Sequence, residues 1–344
     1  MTPHLFVVTP GMLTTVQDLG RPGYQALGVP VCGALDAASL RLANALVGNP
    51  EGTGALEIRF VGPTLRVAAP SLRVALAGTA TPVEILGGRS IKVDAGRSLT
   101  LKRGDVLRVG AVSDTSCCYL AVEGGFTLPA PFGSQSTYDR GGFGGLDGRA
   151  LRETDRLPLA RGAATVRPEV GLVDLSDPDA AAPIRVVLGP QDNYFTEAGI
   201  RTLLEAEFTI SPQSDRMGLR LDGPTLEHSL GYNILSDGIA TGAIQVPGTG
   251  KPIVLLADHQ TTGGYPKIAT VISADLARLG RMRPGHKFGF AAVSVAEAER
   301  ARRQQEDDIR RRLAAIAPID LPREPDTATL LANNLISGVV SIED

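Results

Sequence analysis

The sequence predicts a mainly β protein built from two successive barrel-like units, with a few helices and one long helix near the C-terminus. Three observations carry this. The chain holds 40 glycines, 24 prolines and no tryptophan, a composition suited to many short strands separated by turns. Its 344 residues exceed one ordinary core and suit two. The halves also echo each other: GPTLRV at 62–67 against GPTLEH at 223–228, and RGDVLRVG from Arg103 against RPGHKFGF from Arg283, as a duplicated unit would.

The first unit is placed at 1–165. From 64 to 125 it runs TLRVA, LRVALAG, TPVEIL, SIKVDAG, LTL, DVLRVG and CCYLAVEGG, each rich in Val, Leu or Ile and bounded by Gly, Pro or Asp. A closed or nearly closed barrel follows. One helix interrupts it: Asp36 caps the start, Leu40, Ala43 and Val47 share a face, and Gly48-Asn49-Pro50 ends it. It is expected to cover a barrel opening. Residues 166–182, with scattered Pro, Asp and Ala, form a connection.

The second unit, 183–292, opens with the strand IRVVLGP, continues through a helix at 196–206, and returns to short strands. From 293 to 344 the pattern changes. Ser294 and Glu297 form a capping box, and Ala298, Ala301, Ile309, Leu313 and Ile316 recur at helical spacing. The final LLANNLISGVVSIED has enough apolar residues to dock back onto the body.

Charge excludes several functions. Lys and Arg number 34 against 37 Asp and Glu, mixed along the chain for a formal net charge of −3, so neither nucleic acid nor an anionic membrane is an expected partner. No run reaches the roughly 20 apolar residues that span a bilayer, and the start resembles no signal segment, so a cytoplasmic location is expected. Cys32, Cys117 and Cys118 offer neither a disulfide framework nor a zinc spacing. They read as small buried packing, and no metal site is expected.

Four polar, glycine-rich stretches concentrate the chemistry. TTVQDLGRPGYQALGVPVCGALD (14–36) gathers Gln17, Asp18 and Arg21; Arg21 can fork onto a carboxylate or phosphate, or Asp18 and Arg21 can simply pin their own turn. GSQSTYDRGGFGGLDGRAL (133–151) sets Tyr138 and Arg140 in a glycine run, either a loop that closes over a ligand or partner, or a hairpin tip. SPQSDRMGLRLDGPTLE (211–227) joins Ser214, Asp215 and Arg216. Arg21 and Arg216, in matching segments of the two halves, are the first candidates to grip an anion.

The longest stretch, 236–276, places Gln245, Gln260, Thr261, Thr262 and Tyr265 on loops between apolar strands, as a small-molecule pocket requires. Asp258, His259 and Lys267 are its catalytic candidates. The unperturbed pKa of His259 suits a general base, and a hydrogen-bonded structural role fits equally. GTGK (248–251) is no phosphate loop, since Pro252 stands where Ser or Thr is needed. A G-x-S-x-G elbow and a Cys-His pairing are both lacking, which disfavours an independent hydrolase.

Taken in order, the segments TTVQDLGRPGYQALGVPVCGALD, GALEIRFVGPTLRV, GSQSTYDRGGFGG, GPQDNYF, SDRMGLRLDGPTL and IQVPGTGKPIVLLADHQTTGGYPKIATVI resemble the biotin-dependent carboxyltransferase-like family, also described as allophanate hydrolase subunit 2 or KipA. The resemblance covers nearly the whole chain. It implies tandem cyclophilin-like β-barrels and work beside two partners, the smaller homologous, KipI-like B component and the A component of 5-oxoprolinase. Together these would open the lactam 5-oxoproline to glutamate with ATP. The chain lacks the Met-Lys-Met carrier sequence of biotin proteins, so no biotin attachment is expected on it. Many members carry arginine where this chain has His259, which points to binding or structure rather than proton transfer. A KipA-like regulatory protein and a carboxyltransferase component for urea or a similar amide are the other readings the resemblance allows.

Overall fold

The computed structural model describes residues 2–87, 90–172 and 182–320. All seven runs read as strands between 64 and 125 are strands, from Thr64–Val67 to Cys117–Val122. They join into two facing antiparallel sheets, one of six strands and one of five. Leu5, Val7, Leu65 and Leu107 from the first meet Leu56, Ile58, Leu76 and Leu120 from the second in one core.

The strand Cys117–Val122 is buried along its whole length because its sheet is covered on both faces. Cys118, Leu120 and Val122 point into the first-unit core. Cys117, Tyr119 and Ala121 point the other way, with Ala75 and Ala77, against the helix α1 (Ala37–Val47). The small alanines let the helix lie close. Asp36 caps α1 by accepting from Ser39 N at 3.1 Å, and Gly48 closes it in the left-handed conformation. The helix thus lies across the outer face of a sheet rather than over a barrel opening. A helix with five buried apolar side chains needs a broad apolar surface, and the sheet face supplies one.

With a small two-stranded ribbon beside it, the second unit is built on one sheet of eight strands. Its two edge strands, Lys287–Phe288 and Phe290–Ala292, are separated by Gly289 alone. One run of chain therefore supplies both edges, and the sheet curls almost closed around Val186, Phe208, Ile210, Leu221, Ile244, Val254 and Ile268. Helix α2 (Glu197–Glu205) matches the expected 196–206, with Thr196 as its cap. A short helix, α3 (Leu276–Arg281), replaces part of the expected strand run. Its predecessor Asp275 gives no capping signal because its carboxylate is occupied by Arg185, at 2.6 Å and 3.1 Å.

The GPTL echo does not mark equivalent elements: Thr64–Val67 is a strand, whereas 223–228 is a mostly exposed turn and loop. The second echo does fall on turn-then-strand in both halves. Glu169 pins the start of the connection to the first unit, accepting from Ser98, Thr100 and Arg73. Residues 173–181 and the docking tail lie outside the described residues. Among the described residues no helix is long and apolar enough to cross a membrane.

The long helix α4 (Val295–Ala314) carries the expected capping box. It binds the body through Ile309, its one buried residue, and through polar ties: Arg41 forks onto Glu306 with two 2.8 Å bonds, and Gln305 donates to the Ala274 carbonyl at 2.8 Å. Ile309→Ala should therefore lower stability by about 2–4 kcal/mol. A drop in the urea midpoint at unchanged slope is the expected result; an unchanged midpoint would show that α4 is not held by this contact.

Candidate functional site

Three polar clusters meet where the two units join. The first is Asp18, whose carboxylate accepts from Gly20 N at 2.8 Å, Ser134 Oγ at 2.6 Å, Gln135 N at 2.6 Å and Ser136 Oγ at 2.5 Å. Gln17 adds a bond to the Thr137 carbonyl at 3.2 Å. Arg21 donates to the Ser134 and Ser136 carbonyls and lies 5.0 Å from the Phe143 ring centre. These residues hold the glycine-rich segment 133–145 in place. These contacts suit the turn-pinning role for Gln17 and Asp18; Arg21, at 1% exposed, is sealed from solvent and keeps Nε and Nη1 without a partner.

The second cluster centres on Arg216. Its Nε and Nη2 fork onto Asp258 at 2.8 Å and 2.9 Å, Nη2 also reaches the Gly33 carbonyl at 2.6 Å, and Nη1 bonds Glu57. Glu57 in turn accepts from the Tyr119 hydroxyl at 2.7 Å and Leu35 N at 2.9 Å. Burial works against the guanidinium charge, but Asp258 and Glu57 outweigh it and hold the pKa well above its ordinary value. Four of its five N–H groups are thereby occupied, so Arg216 is a bridge between the units rather than an anion grip. Asp258 is its partner, which leaves no free carboxylate for proton transfer. Cys32 lies beside this cluster, its thiol pushed up to about 12 by burial and then by Asp258; such a thiol is inert.

The third cluster forms a cleft of about 240 Å³ on the outer face of the second barrel, lined by Arg140, Asp215, Met217, Gly218, Arg220, Gln245, Ile253, Leu255, Gln260 and Tyr265. The period of two puts it there: Leu219, Leu221, Ile244 and Val254 point into the barrel, so Gly218, Arg220, Gln245, Ile253 and Leu255 point out. Gly218 leaves room in the floor. Arg140 crosses from the first unit to meet Asp215 at 3.3 Å, with both side chains more than half exposed. Ser214 and Asp215 shape the turn beneath: Ser214 Oγ accepts from Arg220 N at 3.0 Å, and Asp215 from Met217 N at 2.8 Å. Tyr138 stands near the same charges, its hydroxyl pKa raised by burial, then by Cys32 and Asp258.

Inside the cleft, Gln260 Nε2 donates to Gln245 Oε1 at 3.3 Å, while Gln245 Nε2 is buried without a partner. A small two-stranded ribbon, Asp237–Gly238 with Thr262–Gly263, lies over these glutamines. Lys267, buried on the next strand, reaches up to Asp237 at 2.9 Å and holds that carboxyl below its usual range; Gln191 supports Asp237 at 3.3 Å. Thr262 takes part in the ribbon, and the Thr261 carbonyl accepts from Ile239 N at 3.0 Å, so both threonines serve its backbone.

His259 is enclosed. Its Nδ1 faces the Gln260 carbonyl at 2.6 Å and its Nε2 faces the Thr241 hydroxyl at 3.1 Å. The carbonyl accepts from Nδ1–H, which leaves Nε2 to accept from the hydroxyl, a neutral ring with both nitrogens occupied. Burial lowers its pKa. In GTGK, Lys251 pairs with Asp222 at 3.0 Å on the surface and cradles nothing. Among the described residues no group of three or more His, Cys, Asp and Glu could hold a metal ion.

Residue reasoning thus finds the cleft's Arg140, Asp215, Gln245, Gln260 and Tyr265 but passes over Glu57, Gly33, Gln191 and Asp237. Glu57 carried a signal: it is the one acidic residue inside the buried strand Ala55–Arg59, and a buried carboxylate requires a cation.

The family model described as carboxyltransferase domain, subdomain A and B, matches residues 27–292. A protein described as the C component of 5-oxoprolinase from Escherichia coli is 38% identical over 88% of this chain and 95% of its own. One of the same description from Haemophilus influenzae is 38% identical over 86% and 94%. The solved structure of Kluyveromyces lactis urea carboxylase superposes with a TM-score of 0.81 at 28% identity, covering 94% of this chain and 31% of that one.

Two measurements check these roles. Arg216→Met should cost about 3–5 kcal/mol in denaturant melts, because it leaves Glu57 and Asp258 uncompensated; adding Glu57→Gln and Asp258→Asn should recover part of the loss, and no recovery would contradict the charge argument. His259 binds its proton less readily folded than unfolded, so its contribution is complete above the unfolded value of about 6.5 and falls away as pH drops below it. In His259→Gln this part of the acid sensitivity should vanish, and an unchanged pH slope would place it elsewhere.

Proposed function

The chain belongs to the carboxyltransferase domain family, subdomains A and B, and we propose that it acts as the C component of an ATP-dependent 5-oxoprolinase, opening 5-oxoproline to L-glutamate together with the A and B components. What supports this reading over carboxyl transfer is coverage: the 5-oxoprolinase relatives align over nearly their whole length, whereas urea carboxylase aligns over under a third of its own.

The cleft suits a small carboxylated lactam. Leu255, Ile253 and Met217 offer the ring an apolar floor, and Gln245, Gln260 and Tyr265 offer it polar groups. At the mouth, Arg140 is held only by the exposed Asp215. Such pairs are weak, so a substrate carboxylate can displace Asp215 and take the guanidinium fork. ATP serves the assembled complex as co-substrate: phosphorylating the amide oxygen would activate the ring carbon toward water, the C–N bond would then break with the nitrogen leaving as the amine, and hydrolysis of the resulting acyl phosphate would release phosphate and glutamate. Within this chain the site residues bind and orient. No free nucleophile and base stand together in the cleft, so the chemistry requires the partner chains.

The purified chain alone should release no glutamate from 5-oxoproline and ATP, and the complex with the A and B components should. Robust turnover by the single chain would contradict the reading, as would an inactive complex. Arg140→Ala in the complex should raise KM for 5-oxoproline by about tenfold or more, the equivalent of about 1.4 kcal/mol; an unchanged KM would remove Arg140 from the site.

A further inference from the structure

Gln245 lies in the strand Ala243–Gln245 and is 3% exposed. Its side chain is fixed from two directions. The Gln260 amide donates to its Oε1 at 3.3 Å, and Gly263 is packed so closely above that a Cβ there would stand 2.6 Å from its Nε2. Turning the amide over would set Nε2 against the Nε2 of Gln260, donor against donor. In the observed arrangement Nε2 is buried and unpartnered, on a side chain that lines the cleft. A buried donor left unmade is destabilising, and such groups persist where something outside the chain completes them.

The missing partner is an acceptor. A neutral oxygen suits it best, since the Gln260 amide and the ribbon at Gly263 stand beside this side chain, while the cation of the cleft, Arg140, is at its mouth. We propose that Gln245 is the specificity-determining residue for the substrate amide: its Nε2 donates to the ring carbonyl oxygen of a carboxylated lactam whose carboxylate lies toward Arg140. This rests on the reading of the chain as part of a 5-oxoprolinase. Gln260 positions Gln245, and Gly263 is small because any side chain would displace the donor. A ring lacking the carbonyl would leave the donor buried and unpaired, which is how a polar site rejects close analogues most strongly.

The test uses Gln245→Met, close in shape and without the donor. In the complex with the A and B components, KM for 5-oxoproline should rise about tenfold or more. In the isolated variant chain the melting temperature should change little, because the unpaired donor is removed together with the bond from Gln260 to Oε1. A structural role for Gln245 moves these two readouts differently, lowering the melting temperature. Gln245→Glu, which turns a donor into a second acceptor, should raise KM at least as far. If wild-type complex turns over and both variants keep KM within about twofold, the proposal is overturned while the assignment to 5-oxoprolinase stands. A lower melting temperature with an unchanged KM marks Gln245 as structural and overturns the proposal. A wild-type complex that releases no glutamate overturns assignment and proposal together.

Discussion

Arg216, enclosed between Glu57 of the first unit and Asp258 of the second, sets how the two units meet, and the site follows from how they meet. A buried ion pair is seldom stabilising beyond what packed apolar side chains would give, yet breaking one is expensive because a charge is left uncompensated. That asymmetry gives the bridge its effect. Sliding one unit against the other would strand Glu57 away from Arg216, which would keep only Asp258, so one relative placement of the units is strongly preferred. Around it the junction is consistent: Cys32 N donates to the Ala257 carbonyl at 3.0 Å, and Ser116 N to the Arg281 carbonyl at 2.7 Å. The apolar contacts of α1 continue into the second unit as one core.

The cleft follows from that placement. Its floor is the outer face of the second barrel, but Arg140 at its mouth comes from the first unit, on a glycine-rich segment that the Asp18 carboxylate holds with three hydrogen bonds. Asp18 and Arg21 therefore act at one remove, as the anchor of the loop that carries Arg140. The ribbon above the glutamines is fixed in the same way, by Lys267 and Gln191 on Asp237. The stretches richest in polar residues divide between a few groups facing the cleft and a larger number that hold them there.

Much of this was legible in the sequence, for physical reasons that differ by element. Strands between Gly and Pro punctuation, the Asp36 and Ser294 caps and the glycine stop after Val47 are local signals, and local structure follows them. The outer-face position of α1 was not legible, because covering an opening and covering a sheet make the same helix. Nor were the roles of the arginines: Arg21, Arg140 and Arg216 all sit within three residues of an acidic residue in a glycine-rich segment, and only tertiary placement separates a sealed residue, an exposed cleft cation and a bridge. The partner of Arg216, Glu57, lies 159 positions away. The GPTL match misled because four residues can recur without the environment that makes them a strand.

If the two units together shape one lactam site between Arg140 and Gln245, a crystal structure of the assembled complex with 5-oxoproline bound should show it. The expected pose sets the ring over Leu255, its carbonyl oxygen within hydrogen-bond distance of Gln245 Nε2 and its carboxylate on Arg140 with Asp215 displaced. Ligand density at any other site, with the Arg140–Asp215 pair intact and Gln245 still unpartnered, would contradict it.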